Sequence, residues 1–312
     1  MVFLMGPTAS GKSGLALHLA SRFPLEIVNA DSVQVYRGMN IGSAKPSPEE
    51  RQKVPHHLLD LVAPDEPYSV GSYRRQALAV VASCQERKRI PVFVGGSGLY
   101  FRAVEQGLAP VPEVPEAIVR QWRERGEREG WASLHAHLHR VDPHLASRLS
   151  PADAQRIVRG LAVWESSGFP LTYWQQQPHA PVTASILKMA IAWPRAELYL
   201  RIEQRFDQMM QQGFLEEVAA LWRQGFDRTL PAMKAVGYRQ LLRHLDGEIS
   251  LAAAVHLGKQ ESRRYAKRQL TWLRRENNLV WLPAGAEMSA RAEERVRDHL
   301  GLNCTILSIP GP

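Results

Sequence analysis

Short apolar runs and longer amphipathic stretches alternate along the first third of the chain. Residues 2–5, 25–29 and 90–94 are almost wholly apolar, which is typical of parallel strands buried on both faces. Residues 73–88 instead place apolar side chains at helical spacing, and residues 186–193 form a later strand candidate. Such alternation predicts an α/β fold with a parallel sheet, whose ligands bind at the carboxyl ends of the strands.

The pattern changes between the third and fourth strands. The segment PVPEVPE, which begins near residue 110, resembles a linker, and the charged sequence after it has helical spacing. We therefore predict a helical insert over residues 113–181 that divides a core formed by residues 1–112 and 182–312. After residue 195 the pattern predicts a helical C-terminal portion with one short strand. Its helices are expected at residues 196–211, 214–223, 235–245, 252–275 and 288–300, and its strand at 279–282.

A phosphate-binding signature follows the first strand. Residues 6–13 read GPTASGKS and fit G-x-x-x-x-G-K-[ST] between a predicted strand and a predicted helix, as in ATP-binding and other nucleotide-binding P-loop proteins. Backbone amides and the helix N-terminus hold phosphates in such a loop, and the lysine reaches the outer phosphates. We expect a diphosphate or triphosphate to be bound by Gly6, Pro7, Thr8, Ala9, Ser10, Gly11, Lys12 and Ser13.

Polar residues follow the next two strands. Asp31 and Ser32 come directly after the second, where a carboxylate could bind magnesium, act as a general base, or close an Asx-turn. The third strand ends in VGGSGLY, which is not a G-x-S-x-G nucleophile motif because Leu99 occupies the last position. Ser97 is then expected near a ligand. An aspartate of the Walker B type is missing there, which argues against an ATPase or GTPase motor.

Composition and charge restrict the classes of partner that this protein could bind. The 312 residues carry a net charge of +8, with a pI near 9.7, which favours a polyanionic partner such as nucleic acid. Cys84 and Cys304 are too few for a disulfide framework or a four-cysteine zinc site. No apolar run approaches the roughly 18 residues of a membrane span, so we expect a cytoplasmic protein without a membrane partner.

Basic residues concentrate near the C-terminus. Residues 259–275 carry seven lysines and arginines against one glutamate, in KQESRRYAKRQLTWLRR. This is either a solvated helix with its aromatic side packed, or a basic surface for a phosphate backbone that includes Lys267 and Arg268. The segments DAQRIVRGL and KAVGYRQL also mix basic and amide side chains, a combination that suits single-stranded RNA.

Several motifs in order resemble the tRNA dimethylallyltransferases, of the bacterial type that lacks a zinc finger. They are GPTASGKS, DSVQVYRGMNIGSAKP, PHHLLD, VGGSGLYF, DAQRI, RIEQRFDQM, KAVGYRQ and AKRQLTWLR. The resemblance implies a P-loop kinase-like core with a helical insert. It also implies transfer of a dimethylallyl group from dimethylallyl diphosphate to the exocyclic amine of the adenosine 3′ of the anticodon in tRNA. The loop would then hold a diphosphate that leaves.

The same resemblance implies roles for individual residues. Asp31 would be the general base, Lys12, Ser97 and Arg205 would bind the diphosphate, and Ser13 would serve Mg²⁺. Arg201 lies four residues before Arg205 on a predicted helix, so both could point inward. The tRNA anticodon stem-loop, bound by a monomer, would contact Asp31, Ser32, Val33, Gln34, Ser97, Asp153, Ala154, Gln155, Arg156, Ile157, Lys234, Ala235, Val236, Gly237, Tyr238, Arg239, Lys267 and Arg268.

Three alternatives remain at this point. A small-metabolite or nucleoside kinase would share the core and use Asp31 as a base toward a hydroxyl. An adenylate isopentenyltransferase would share the chemistry but accept free AMP. A non-catalytic RNA-binding protein would account for the charge but would leave the phosphate loop without a role.

Overall fold

Six parallel strands form one sheet within residues 1–302, which are those that the computed structural model describes. The strand order is β3-β2-β4-β1-β5-β6. The strands are β1 (Val2–Met5), β2 (Leu25–Ala30), β3 (His56–His57), β4 (Ile90–Gly95), β5 (Leu187–Ala192) and β6 (Leu279–Pro283). In the central register Val2 pairs with Val92 on one side and Leu187 on the other. The expected α/β architecture with a parallel sheet is therefore present.

Helices cover the sheet, make up most of the insert, and dominate the C-terminal portion. Those before the insert are α1 (Lys12–Ala20), α2 (Pro48–Lys53), α3 (Val70–Glu86) and α4 (Gly98–Gln106). Those of the insert are α5 (Glu116–Glu129), α6 (Trp131–Val141), α7 (Pro143–Ala146), α8 (Ala154–Ser167) and α9 (Leu171–Gln175). Those after it are α10 (Arg195–Gln211), α11 (Phe214–Arg223), α12 (Tyr238–Leu245), α13 (Leu251–Leu273) and α14 (Met288–His299). None of these helices combines the length and apolarity that a membrane crossing requires.

Predicted and observed elements differ mainly where the chain turns. The five predicted strands are present with bounds that differ by one residue at most, but β3 has only two residues and was not predicted. Helix α12 begins at Tyr238 rather than at residue 235. Gly237 has a φ of +92°, a left-handed value that interrupts the helix, and a short 3₁₀ turn precedes it at Ala232–Lys234. The helical periodicity of the sequence does not reveal this break.

The chain folds as two compact units. The first contains Met1–Glu105 and the chain from Thr183 onward, and the second is Gln106–Val182. Around the sheet, the first unit buries an apolar core that includes Leu4 and Leu19. A second cluster of this unit joins α10, α11 and α12 through Phe206, Phe214 and Tyr238.

The insert has an apolar core of its own, in which Leu134, Leu138 and Leu161 are almost fully buried. Helix α8 approaches its neighbours closely at Gly160, since a Cβ there would lie 2.7 Å from Leu145 and 2.8 Å from Leu138. A side chain at residue 160 would separate these helices, so the glycine sets how tightly the insert packs.

Candidate active site

The order of the central strands brings three loops together. Strand β4 lies between β2 and β1, so the carboxyl ends of these strands meet at one edge of the sheet. The phosphate loop follows β1, Asp31 follows β2, and Gly96 follows β4. All three contribute to a cavity of about 480 Å³ within the first unit. We call it the central cavity; its lining includes Lys12, Ser13, Asp31, Arg205 and Tyr265.

The phosphate loop has the backbone that its sequence predicts. Ala9 and Gly11 have φ values of +62° and +92°, and Gly11 in the left-handed region caps α1. The Lys12 Nζ folds back over the loop and donates to the Pro7 carbonyl at 2.6 Å and to Ser10 Oγ at 3.5 Å. A Cβ at Gly6 would lie 2.9 Å from Ser10 Oγ, so the first glycine of the motif permits this closed turn. These two contacts hold the Lys12 Nζ over the phosphate loop.

Asparagine at the end of β2 holds Asp31. Asn29 Oδ1 accepts the Asp31 backbone N–H at 2.9 Å, and its Nδ2 donates to the Asp31 carbonyl at 3.0 Å. Tyr73 on α3 donates its hydroxyl to the Asn29 carbonyl at 2.9 Å. The Asp31 Oδ1 in turn accepts the Val33 N–H at 2.9 Å. Asp31 therefore forms an Asx-turn and also contributes its carboxylate to the central cavity, so the two interpretations are compatible.

Burial shifts the pKa values of Asp31 and Lys12 in the central cavity, and the charges of the two groups oppose these shifts. Burial raises the pKa of the Asp31 carboxyl, against the Val33 N–H bond and the nearby Lys12 and Arg205 cations. Burial, followed by repulsion from Arg205, lowers the pKa of the Lys12 ammonium to about 7, although Asp31 opposes this shift. Two cations beside one carboxylate form an enclosure suited to a phosphate anion, which would stabilise the charged form of Lys12.

Arg201 and Arg205 have different positions. Arg205 lines the central cavity and, within residues 1–302, makes no hydrogen bond or ion pair there. Arg201 does not point into it: its Nε donates to the Ala9 carbonyl at 3.0 Å, and its guanidinium lies 4.3 Å from the Trp193 ring. Trp193 donates its Nε1 to the Ser10 carbonyl at 2.9 Å. Arg201 therefore braces the phosphate loop and, with Arg205, lines a second pocket beside Gly11 and Lys12 of that loop. Both arginines thus face the loop, but only Arg205 also lines the central cavity.

Ser97 joins the loops after β2 and β4. Its Oγ accepts the Ser32 N–H at 3.1 Å and lies 3.4 Å from the Ser32 Oγ. The Tyr265 phenol of α13 lies beside Ser97, and burial together with the negative charge of Asp31 raises the pKa of this phenol. Tyr265 is therefore a neutral hydroxyl in the central cavity at physiological pH. It belongs to the aromatic side of the predicted helix and was not among the expected site residues.

Ser13 lies at the start of α1 and lines the central cavity. The Ser13 hydroxyl and the phosphate oxygens of a substrate would together offer Mg²⁺ the hard oxygen ligands that it prefers. Among the described residues the other cluster with metal-ligand chemistry is Glu26, His57 and Cys84, at the start of β2. There Arg87 already pairs with the Glu26 carboxylate and is the main cause of its pKa of about 2, so that cluster is an ion-pair site.

The basic helix α13 has paired and unpaired cations. Three of its basic residues form ion pairs with acidic side chains, namely Lys259 with Asp207, Arg263 with Glu203, and Arg264 with Glu261. Lys267 and Arg268 are exposed and make no ion pair within the part of the chain described, although Arg268 lies 5.6 Å from the Tyr265 ring. The basic surface is therefore smaller than the number of basic residues implies.

The residues expected to contact RNA fall into three groups. Those that line the central cavity are Asp31, Ser32, Val33, Gln34, Lys234, Ala235, Val236 and Arg268, and the Gln34 amide donates to the Ser43 and Ala44 carbonyls at 3.1 and 3.0 Å. Those exposed elsewhere include Gln155, Arg156 and Arg239, with Arg156 paired to Asp153, the cap of α8. Gly237 is buried, and so are two larger residues, Ile157 and Tyr238.

Burial changes these last two assignments. Ile157 packs in the core of the insert, and Tyr238 donates its hydroxyl to Glu217 at 2.6 Å inside the cluster of α10, α11 and α12. Neither side chain is at the surface. We therefore correct their expected role from contact to support of the neighbouring exposed residues.

Two residues at this site carry positioning contacts that the sequence analysis did not identify. Asn29 is polar in an otherwise largely apolar strand, a signal that could have drawn attention to it. Gln269 lies on α13, and its amide contacts both the phosphate loop and the end of β4. Nothing local in the sequence predicts a contact between residues 261 positions apart.

Comparison with known proteins agrees with this geometry. The family model described as IPP transferase matches residues 34–276. A relative from Magnetococcus marinus, named tRNA dimethylallyltransferase, is 56% identical over 298 residues, which cover 93% of this chain and 97% of the relative.

Solved structures show the same relationship. The full-length tRNA isopentenylpyrophosphate transferase of Bacillus halodurans is 32% identical, with a TM-score of 0.69 over 97% of this chain and 99% of that one. A eukaryotic dimethylallyltransferase acting on tRNA has a TM-score of 0.83 at 22% identity, over 100% of this chain and 82% of that one, and so shares the fold. By these matches the chain belongs to the tRNA dimethylallyltransferase family, whose members are prenyltransferases.

Proposed function

We propose that this enzyme transfers a dimethylallyl group from dimethylallyl diphosphate to the exocyclic amine of the adenosine immediately 3′ of the anticodon in tRNA, releasing diphosphate. The observation that carries the proposal is the shared cavity. A phosphate loop with Lys12 and Arg205 on one side and the Asp31 carboxylate on the other enclose about 480 Å³. This arrangement offers an anion site and a base within reach of one substrate-sized space.

The leaving group is held by the phosphate loop. In the transfer, the bond between the allylic carbon and the diphosphate oxygen breaks, and its electron pair leaves with the diphosphate. Loop amides, Lys12 and Arg205 stabilise the negative charge that develops there, because their dipoles and charges are already oriented toward it. Mg²⁺, held by Ser13 and phosphate oxygens, would supply further charge neutralisation. Ser97, hydrogen-bonded to Ser32, orients the edge of the site.

Asp31 acts on the nucleophile. The adenine amine nitrogen forms the new bond to the allylic carbon, and its proton passes to the Asp31 carboxylate. Burial that raises the pKa of this carboxyl makes it a stronger base than an exposed aspartate. The two hydrogen bonds between the Asn29 side chain and the Asp31 backbone keep the carboxylate oriented during the reaction.

The adenosine must leave its stack to reach the central cavity. The residues proposed to surround it are Ser32, Val33, Gln34, Lys234, Ala235 and Val236, which line that cavity. The anticodon stem-loop is proposed to bind the exposed residues Arg239, Lys267 and Arg268, together with Asp153, Ala154, Gln155 and Arg156 of the insert. We further propose that the enzyme is a monomer, that it acts in the cytoplasm, and that dimethylallyl diphosphate is its allyl donor.

The family matches support prenyl transfer and not the kinase alternative. The discriminating experiment offers allyl-labelled dimethylallyl diphosphate with Mg²⁺ to unmodified tRNA in one reaction and to AMP in another. We expect label on tRNA alone. Label on AMP would instead indicate an adenylate isopentenyltransferase, and ATP consumption without label in either reaction would refute the proposal.

A further inference from the structure

Gln269 uses both ends of its side-chain amide at the active site. The Oε1 accepts the Thr8 backbone N–H of the phosphate loop at 3.0 Å, and the Nε2 donates to the Gly96 carbonyl after β4 at 3.0 Å. Only 6% of the residue is exposed. One side chain of α13 therefore links the ends of two neighbouring strands, β1 and β4.

The docking of α13 leaves this amide little freedom. A Cβ at Gly96 would lie 2.0 Å from the Gln269 Nε2, and a Cβ at Gly98 would lie 2.5 Å from the Trp272 ring. Both glycines let the helix approach the backbone after β4 without a side chain between them. Because the site is packed in this way, the Gln269 amide is confined to the position that makes both hydrogen bonds.

The same helix also contributes to the central cavity. Tyr265 and Arg268 line it, and the Tyr265 phenol lies beside Ser97 and Gln269. A continuous set of contacts therefore runs from the helix proposed to bind tRNA to the Thr8 amide of the phosphate loop. The Thr8 N–H is directed toward Gln269, so this bond determines how that part of the loop is oriented.

We propose that Gln269 is a positioning residue for prenyl transfer, which holds the phosphate loop in its diphosphate-binding shape from the helix proposed to contact tRNA. The inference rests on the proposed function and adds a residue that acts through Thr8 and Gly96 rather than on the substrate. A displacement of about 1 Å at a reacting centre can reduce turnover about 100-fold, so the loss of a positioning hydrogen bond is expected to be measurable.

Two substitutions separate the two hydrogen bonds. Gln269→Met keeps the length and removes both, whereas Gln269→Glu keeps the acceptor for Thr8 and loses the donor to Gly96. In Gln269→Met we expect kcat/KM for dimethylallyl diphosphate to fall about 10–100-fold. The Kd for tRNA, measured by fluorescence anisotropy, should remain within about twofold of the wild type, because the exposed basic residues are unchanged.

The pH profile of Gln269→Glu distinguishes positioning from packing. A protonated glutamic acid can again donate to the Gly96 carbonyl, so the activity of this variant relative to the wild type should rise as the pH is lowered. Lys12 and Asp31 titrate in both proteins, so the pH profile of Gln269→Met, which adds no charge, serves as the reference for a change of packing alone. A packing defect would leave the ratio constant with pH.

Thr271→Val is the matched control, an isosteric change on the exposed side of α13, where the hydroxyl donates to the Lys267 carbonyl of its own helix. It should retain wild-type kinetics. Folding of each variant is checked by its melting temperature, and if Gln269→Met does not fold, the pH ratio of Gln269→Glu decides. Kinetics within twofold of the wild type, or a ratio independent of pH, would overturn the inference. An inactive wild type would instead refute the proposed function.

Discussion

Asp31 and Lys12 illustrate how burial shapes the chemistry of single residues here. Their pKa values move toward one another, the carboxyl upward and the ammonium down to about 7. Each charge reduces the displacement of the other, and Arg205 acts on both. Because the pKa of Lys12 lies near neutral pH, binding of an anion beside it would raise that pKa and favour the protonated lysine.

Replacing Asp31 with alanine tests its role as a base. We expect turnover to fall about 100-fold or more, as for loss of a general base. Binding of tRNA, measured by anisotropy, should be largely intact because the exposed cations that attract RNA are unchanged. Wild-type turnover in Asp31→Ala would remove this residue from the mechanism.

The protonation of Lys12 predicts a pH dependence for diphosphate binding. The ammonium is charged below its pKa of about 7 and loses its charge above it, so affinity for inorganic diphosphate should weaken as the pH rises through that value. Asp31 raises the pKa of Lys12, so Asp31→Asn should move the transition to lower pH. Calorimetric titration at several pH values measures the affinity of the wild type and of Asp31→Asn for diphosphate. The protonation of diphosphate itself affects both proteins equally, so it does not contribute to the difference between them. Identical transitions in the two proteins would show that Lys12 and Asp31 do not interact.

Helix α13 combines packing with exposure. Its inner side carries Tyr265, Gln269 and Trp272 against the loops of the sheet, and its outer side exposes Lys267. Arg268 lies between these sides, since it is exposed and also lines the central cavity. A helix that is anchored by buried polar contacts can present cations in a fixed place. The sequence allowed either a helix with its aromatic side packed or a basic surface. The structure contains both, because the aromatic side chains pack on one face of the helix and exposed cations lie on another.

The exposed cations of α13 predict a salt dependence of tRNA binding. Lys267→Ala combined with Arg268→Ala should weaken tRNA binding and reduce the slope of log K against log salt by about 0.7–0.9 for each phosphate that these side chains neutralise in the wild type. Arg291→Ala is the control, since that exposed arginine of α14 pairs with Glu287 on its own helix. An unchanged slope in the double variant would assign this face of α13 to the solvated surface.

At the scale of the whole molecule, the chain is divided into two units with separate apolar cores. The insert Gln106–Val182 carries eight arginines against eight acidic residues, so the entire formal excess of +8 belongs to the other unit. Electrostatic attraction of a polyanion is therefore concentrated in the unit that holds the phosphate loop. Contacts of the insert with RNA would depend on hydrogen bonds and stacking more than on net charge.

Separate cores predict separate responses to core mutations. Leu138→Ala creates a cavity in the insert and should cost about 2–5 kcal/mol, so amide hydrogen exchange should accelerate within residues 106–182. Leu19→Ala in the sheet core is the reciprocal control and should accelerate exchange in the other unit. Equal acceleration of both units by Leu138→Ala would show that the chain opens as one cooperative body.

Local pattern was sufficient for most of the elements and for part of the site. The strands β1, β2, β4, β5 and β6 and the phosphate loop are contiguous segments whose side chains specify their own conformation. The position of Asp31 follows as well, because parallel strands align their carboxyl ends. Strand β3 was missed because two residues carry no periodic signal.

How distant segments meet depends on tertiary packing. That packing places Gln269 beside Thr8, brings Arg205 but not Arg201 to the central cavity, and buries Ile157 and Tyr238. Local sequence specifies the P-loop, the strands of the parallel sheet and the basic C-terminal helix, because each depends on neighbouring residues. The remaining contacts depend on the angle and depth at which helices dock, which long-range packing sets and no local pattern records.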